Sequence, residues 1–296
     1  MSASNPVTTE FPAVTGSPSS PRLGLGPGTK QLLILPIVFL VLGMLVPIVF
    51  VFWTAAFGSG SGDVVSVVTD PLFQRALTRT LLMAALVTVF CVVLGLVYAL
   101  ALLMAPRSIR VLLVIGIGSA FVISLMVRTY GWIILLQPKG LLADILHGIG
   151  ILQGPLQLLQ TPTAMYLGMV HVMLPFSIML IYTALMSLDG NQLKAARSMG
   201  ATGLTTFWRV VFPQISGGVV AGAMLVFMIS LSFYITPAFL GGPAQLTMGT
   251  LIGRELSGTQ NFKSAAIMGT MLLVVVVALY FLAEKIFKIT ERWERR

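Results

Sequence analysis

The side chains that could take part in chemistry are few in this 296-residue chain, and they lie far apart along it. The sequence holds two histidines, His147 and His171, and a single cysteine, Cys91. Cys91 lies inside an apolar run, and one cysteine can form neither an internal disulfide nor a zinc site. Because no nucleophile, base and acid are grouped along the chain, we predict no catalytic residues and no metal ligands.

A polar stretch, SLDGNQLKAARSMGATGLTTFWRVVFP, residues 187–213, is the strongest remaining candidate for function. Long apolar runs flank it on both sides, and its charges would be costly inside a bilayer, so we predict that it lies in the cytoplasm or at the interface. Residues 191–199 lack Pro and Gly and are rich in good helix formers, which predicts a helix. Asp189 or Asn191 could cap its start, and Gly200 could supply the positive φ that ends it.

A second short helix is predicted over residues 203–211. Leu204, Phe207, Trp208 and Val211 recur at three- and four-residue spacing and would share one face of that helix. An exposed Phe-Trp pair could enter a groove of a protein partner, or it could lie among lipid headgroups. The residues alone leave both interpretations open.

The composition indicates what kind of protein contains this polar stretch. The chain is 57% hydrophobic and only 9% charged, with a mean hydropathy of +0.98, whereas soluble domains carry about 25% charged residues. The net charge of +9 fits the enrichment of Lys and Arg on the cytoplasmic side of membrane proteins. No basic stripe with interleaved aromatic residues is present, so we predict a lipid bilayer and not nucleic acid as the surroundings.

We predict an all-α integral membrane protein with six transmembrane helices, because a span needs about 20 apolar residues. The predicted spans cover residues 31–57, 80–105, 111–137, 162–188, one helix within 210–253, and 264–287. Gly241-Gly242-Pro243 would break the long fifth run, so that it holds one span and a loop. Residues 138–160 predict a short surface helix. Six spans put both termini on the side that holds most Lys and Arg, the cytoplasm.

This topology divides the chain into three parts. Residues 1–30, rich in Ser, Pro, Gly and Thr, predict a disordered cytoplasmic tail. Residues 31–288 form the predicted transmembrane domain, and residues 289–296 a basic cytoplasmic tail.

The stretch LKAARSMGATGLTTFWRVVFP resembles the cytoplasmic loop of ATP-binding cassette (ABC) importer permeases. That family's pattern is Glu-Ala-Ala, three residues, Gly, then nine residues and an apolar-x-x-Pro ending or close to it. In this chain Lys194 replaces the usual glutamate. The resemblance implies that residues 188–213 dock into an ATPase subunit and transmit its closure. The residues that would do so are Lys194, Ala195, Ala196, Gly200, Gly203, Leu204, Phe207, Trp208 and Pro213.

Two further stretches, RTYGWIILL (128–136) and SFYITPAFLGGP (232–243), are similar to segments of the spermidine/putrescine permease branch, in particular the first of its two paired permeases. The resemblance implies a type I importer in a bacterial cytoplasmic (inner) membrane. Its partners would be a second homologous permease, two cytoplasmic ATPases and a periplasmic or lipid-anchored binding protein. This chain has no Walker motif, so it would hold no cofactor itself, and ATP and Mg²⁺ would bind the ATPase.

The implied cargo is a polyamine or a related small amine. The alternatives are another small solute, namely an opine or amino-acid derivative, an aminophosphonate, thiamine or ferric ion. A stand-alone secondary transporter or channel is the alternative class of protein. Such proteins usually show intramembrane acids or internal repeats, and neither is evident here.

Arg128 carries a charge inside a predicted span, and charged residues at such positions usually have a function. Its long side chain could snorkel to the outer interface, line the substrate path, or pair with the second permease. Tyr130 and Trp132 fit either the interfacial aromatic belt or the path.

A second group of path candidates falls late in the predicted fifth span and comprises Phe233, Tyr234, Thr236 and Pro237. Pro237 lacks an N–H and would free the carbonyl of Phe233 inside the helix. A helix loosened there could line or gate a cavity, and the alternative is a tolerated kink.

The fourth predicted span offers His171 and Pro175 as a similar, weaker case, although a lone histidine more often bonds a neighbouring carbonyl. Glu255 is an outer-loop acid that could face a cationic cargo, because the spans contain no central Asp or Glu.

Overall fold

The computed structural model describes residues 27–151 and 153–294, with side chains for 34–151 and 153–286. All regular elements within these residues are helical, which confirms the predicted all-α class. The elements are α1 Pro27–Phe57, α2 Val64–Thr69, α3 Pro71–Met104, α4 Arg107–Val122, α5 Leu125–Leu136, α6 Leu141–Gly148, α7 Pro162–Met186, α8 Gly190–Ser198, α9 Gly203–Thr206, a π-helical turn Phe207–Val211, α10 Phe212–Leu231, α11 Ile235–Leu240, α12 Met248–Ser257 and α13 Phe262–Glu294.

The predicted N-terminal tail lies outside the described residues up to residue 26, and α1 begins at Pro27, before the predicted start of the first span. The last two residues of the basic C-terminal tail also lie outside the described residues. The chain divides into two compact units, Met1–Phe50 and Val51–Arg296. The first unit contains the larger part of α1, which runs through Pro36 and Pro47. The second unit contains all the candidate functional residues.

Five helices in the described part of the chain are long and apolar enough to cross a membrane, and a sixth span is formed if α4 and α5–α6 are taken together. That pair is bent by 107°. The third span is therefore not the continuous helix predicted over 111–137. Ile123 and Ser124 have extended ψ angles of 127° and 141° and interrupt it. A β-branched residue and a serine, whose side chain competes for backbone hydrogen bonds, both weaken a helix at this point.

The centre of the second unit is a three-helix packing of α3, α7 and α10. Glycines allow the close approach: a Cβ added at Gly218 would lie 2.3 Å from Cβ of Ala184, and one at Gly95 would lie 2.8 Å from Oγ of Ser177. Gly218 and Gly222 stand four residues apart on α10 and both face α7. Small residues at this spacing let membrane helices pack backbone to backbone. Both candidate sites contain residues that pack against this bundle.

A second cluster holds α12 against α3 and α13. Met248 and Leu251 of α12 are buried among Phe73, Ala76 and Ile267. The Thr80 hydroxyl accepts a hydrogen bond from the Met248 backbone N–H at 2.8 Å. Residues 232–253 thus form two short helices and loops, which confirms that the long fifth run contains a single span.

Candidate functional site

The coupling segment, residues 188–213, begins with a capped helix. The Asp189 carboxylate accepts a hydrogen bond from the Asn191 N–H at 2.9 Å, so Asp189 and not Asn191 caps α8. At the other end Gly200 has a φ of +78°, as predicted. The Gly200 N–H bonds to the Arg197 carbonyl at 3.0 Å and the Ala201 N–H to the Ala196 carbonyl at 3.1 Å. This pair of bonds is the Schellman motif, which turns the chain sharply after α8.

The second helix of the segment is not the separate short helix predicted over 203–211. Helix α9, the π-helical turn and α10 follow one another without a break, so the helix runs from Gly203 to Leu231. The Phe212 N–H bonds to the Phe207 carbonyl, five residues back. Pro213 lacks an N–H, and its ring would clash with the carbonyl four residues earlier in a regular α-helix. The wider π turn accommodates Pro213, which therefore does not end the helix.

The predicted single face of Leu204, Phe207, Trp208 and Val211 is wrong. Leu204 is 72% exposed and Trp208 56% exposed, whereas Val211 is buried and Phe207 packs against the same cluster. The four residues therefore form two pairs at four-residue spacing, one facing outward and one facing the bundle. Trp208 is the exposed aromatic residue, and Phe207 anchors the segment.

Helix α8 is attached to the bundle through one side only. Ala196 is buried, and Leu193 packs against the cluster that contains Ile181 and Leu185 of α7. Lys194 and Ala195 are exposed on the opposite side. Gly203 follows the glycine turn, and a Cβ added at Gly200 or Gly203 would meet nothing within 4 Å. The coupling segment thus exposes much of its surface while its anchor residues are fixed.

The path region comprises α5, α11, α12 and the break at residues 232–234. On α5, the Trp132 indole N–H donates to Nδ1 of His171 on α7 at 3.1 Å, with the two rings edge to face at 5.7 Å. Arg128 lies one turn before Trp132, within electrostatic range of His171. Its Nε is buried and has no hydrogen-bond partner among the described residues. The structure therefore brings Arg128, Trp132 and His171 together, which sequence spacing did not predict.

Tyr130, on another side of α5, is exposed, and its ring lies 5.8 Å from that of Phe239 on α11. Leu136 of α5, Ala164 of α7 and Leu240 of α11 form a small buried cluster behind this contact. The broken third span and the broken end of the fifth run therefore meet. Non-helical backbone at membrane depth is tolerated where it is buried in protein or lines a cavity.

The structure corrects the predicted role of Pro237. Helix α10 ends at Leu231, and Pro237 lies in the first turn of α11, so it does not loosen a continuous fifth span. The missing N–H removes no helical bond there. Phe233 and Tyr234 form the break, and the Phe233 carbonyl would lie 2.9 Å from a Cβ added at Gly249 of α12. Thr236 is fully buried beside Gly168 of α7.

Glu255 lies on α12 and accepts a hydrogen bond from the Thr259 hydroxyl at 2.8 Å. The ring of Tyr234 lies against the same helix, 2.6 Å from the position that a Cβ at Gly253 would take. Pro175 is buried inside an unbroken α7. Among the described residues, no three His, Cys, Asp or Glu side chains are grouped so that they could hold a metal ion.

Two of the features that sequence reasoning missed lie in the helices that position the site. The first is the break at Ile123–Ser124, which had only a weak signal in a β-branched residue followed by a serine. The second is the pair Gly218 and Gly222, whose four-residue spacing in an apolar run is a recognisable helix-packing motif.

The chain is similar to known proteins in both sequence and fold. Residues 100–296 match the family model described as "Binding-protein-dependent transport system inner membrane component". The chain is 32% identical over 230 residues to the spermidine/putrescine transport system permease protein PotB of Salmonella typhimurium (strain SL1344), covering 75% of this chain and 80% of that protein. It is also 32% identical over 225 residues to PotB of Escherichia coli (strain K12), covering 73% and 82%.

Among solved structures, a chain of the bacterial alginate ABC transporter in complex with alginate pentasaccharide-bound periplasmic protein has the same fold, with a TM-score of 0.74. The match covers 86% of this chain and 91% of that one at 19% identity. The chain therefore belongs to the family of inner membrane components of binding-protein-dependent transport systems, and it is a multi-pass permease subunit of an ABC importer.

Proposed function

We propose that this chain forms half of a substrate pathway together with a second homologous permease. Two cytoplasmic ATPase subunits, which hold ATP and Mg²⁺, drive the pathway, and a periplasmic or lipid-anchored binding protein loads it. The chain itself carries no catalytic residue and no cofactor. Both termini and the coupling segment face the cytoplasm, in accord with the distribution of Lys and Arg.

The observation that carries this proposal is the unbroken helix from Gly203 to Leu231. Its N-terminal end lies in the exposed coupling segment, and its other end stops at the break beside the path region. A displacement at Leu204 or Trp208 therefore moves α10 directly. Because α10 packs closely on α7 through Gly218 and Gly222, the movement extends to the helix that carries His171.

This arrangement gives the permease two conformations, and a partner at each end shifts the equilibrium between them. Closure of the ATPase dimer on ATP favours one state through the coupling segment, and the loaded binding protein favours one through the outer face. A ligand shifts such an equilibrium only as far as its affinity differs between the two states. In an alternating-access cycle, the substrate pathway would open and close at the helix breaks in the path region.

For the cargo we propose a polyamine or a related small amine, as the names of the PotB relatives indicate. The exposed rings of Tyr130 and Tyr234 offer faces for cation–π contact with ammonium groups. Glu255 is the carboxylate of α12, the helix against which the Tyr234 ring lies.

A second candidate cargo is an amine that also bears a carboxylate or phosphonate. Arg128 favours it, because this partly buried cation has no carboxylate partner within the described residues. An anionic group of the cargo would supply the missing charge.

The test is ATP-dependent uptake by proteoliposomes that contain this chain, its second permease and the ATPase, with the binding protein added. We expect uptake of labelled spermidine or putrescine that requires all components. Uptake by this chain alone along an ion gradient would instead show a secondary transporter. Arg128→Gln separates the cargo candidates: it should leave polyamine uptake intact but abolish uptake of an anionic amine.

A further inference from the structure

Three of the four charged residues of the coupling segment are basic. Lys194, Arg197 and Arg209 are exposed. Asp189 is the only acidic residue between positions 145 and 254, and its carboxylate is engaged in capping α8. Neither Lys194 nor Arg197 has a carboxylate partner within residues 34–151 and 153–286. The segment therefore offers positive charge to whatever covers it.

Lys194 lies on the outward side of α8, away from the bundle. Leu193 and Ala196 face the bundle, and successive residues are rotated by about 100° around a helix. The residues on the far side are consequently Asn191, Lys194, Ala195 and Ser198. Lys194 is the one charged residue among them, and Arg197 lies at their edge.

This outward side fits a protein groove better than a membrane surface. A helix that lies in the interface needs large apolar residues on the side that enters the lipid. The outward residues of α8 other than Lys194 are small or polar, and its apolar residues Leu193 and Ala196 are used for packing on the bundle.

We propose that the groove of the ATPase subunit that receives α8 presents a carboxylate to Lys194. This inference rests on the proposed function, and it adds the chemistry of the partner. A permease with the family's usual glutamate at this position would need a basic group in the groove. The reversed charge therefore makes this chain select its own ATPase and reject ATPases whose groove is basic, since like charges brought together in an interface are strongly unfavourable.

The experiment measures the affinity of the purified ATPase for the permease pair in nanodiscs of neutral phospholipid, at low and at high salt. We expect Lys194→Glu to weaken binding by about tenfold at low salt, and Lys194→Gln to weaken it less. The difference in ATPase affinity between the unmodified chain and Lys194→Glu should shrink at high salt, because ions screen the interaction between Lys194 and the carboxylate. Arg107→Glu is the matched control: it makes the same charge change at an exposed site predicted on the same side of the membrane, and it should leave binding unchanged.

A reciprocal change supplies the decisive result. Replacing the facing Asp or Glu of the ATPase by Lys should restore binding to Lys194→Glu and weaken binding to the unmodified chain. Binding of Lys194→Glu that is as tight as that of the unmodified chain would overturn the acidic groove but leave the proposed function intact. An unmodified permease pair that binds no ATPase at any salt concentration would overturn both proposals.

Discussion

The coupling segment and the path region are both built from short helices and interruptions, yet they are held in different ways. In the coupling segment the turn is fixed by bonds between near neighbours: Asp189 to Asn191, and Gly200 and Ala201 back to α8. In the path region the contacts join distant parts of the chain, such as Trp132 with His171 and Tyr130 with Phe239.

The difference shows how one chain can combine a coupling segment that keeps its shape with a path region whose contacts can change. Local bonds let the coupling segment keep its shape while it is pushed by a partner. Contacts between separate helices can be exchanged when those helices move relative to each other, because packed interfaces tend to have discrete alternative arrangements. The following changes test this contrast, in order of decreasing expected effect.

The anchor of the coupling segment gives the largest expected effect. Phe207→Ala removes a ring that packs against Val211 and the α7 cluster, and should lower the stability of the purified complex by about 3 kcal/mol. Trp208→Ala, its exposed neighbour, should leave the thermal unfolding midpoint unchanged but weaken ATPase binding. Equal losses of stability in the two variants would contradict the inward and outward pairing described above.

The path region depends on a glycine contact between helices. A side chain at Gly168 would place its Cβ 2.4 Å from Cδ1 of Leu240 and 2.8 Å from Cγ2 of Thr236. Gly168→Val should therefore separate α7 from α11 and cost about 2–3 kcal/mol, measured as the thermal unfolding midpoint of the complex.

The control is Gly131→Val on α5, where an added Cβ meets nothing within 4 Å. It should cost less than about 1 kcal/mol. If Gly168→Val were as stable as Gly131→Val and transported normally, the close contact of α7 and α11 would not hold the path region together.

At Gly200, in the turn after α8, a substitution should act through the backbone conformation it allows and not through the size of its side chain. Gly200 has a φ of +78° but no neighbour near its Cβ position. Gly200→Val should strain the turn by about 1–2 kcal/mol and reduce coupled ATP hydrolysis by about tenfold. Gly200→Asn should retain most activity, because asparagine tolerates the left-handed region. Gly203→Ala is the comparison without a positive φ, and an equal loss there would mean that the φ of Gly200 is not responsible.

The same contrast explains how much of the molecule could be predicted. The helix over 191–199 and the Gly200 turn depend on residues a few positions apart, so composition and spacing identified them, and they limited the cap to Asp189 or Asn191. The number of spans also followed from apolar length. The break at Ile123–Ser124 and the π turn before Pro213 could not be predicted, because each depends on competition between nearly equal sets of backbone hydrogen bonds.

The inward and outward pairing in the coupling segment shows the same limit. Regular three- and four-residue spacing placed Leu204, Phe207, Trp208 and Val211 on one face, but only the position of the α7 cluster decides which of them are buried. Similarly, Arg128 and Trp132 were recognised as candidates, but His171, on another helix, could be joined to them only by the fold.

The smallest expected effect concerns the hydrogen bond in the path region. Trp132→Phe keeps an aromatic ring but removes the N–H that donates to Nδ1 of His171 at 3.1 Å. The net loss of one such bond is about 1 kcal/mol, so the fold should be retained and the effect should be seen as a change in uptake rate at saturating binding protein. Trp53→Phe, at an exposed position of α1, should change neither quantity. An unaltered uptake rate in Trp132→Phe would show that the α5–α7 bond is only structural and is not exchanged during transport.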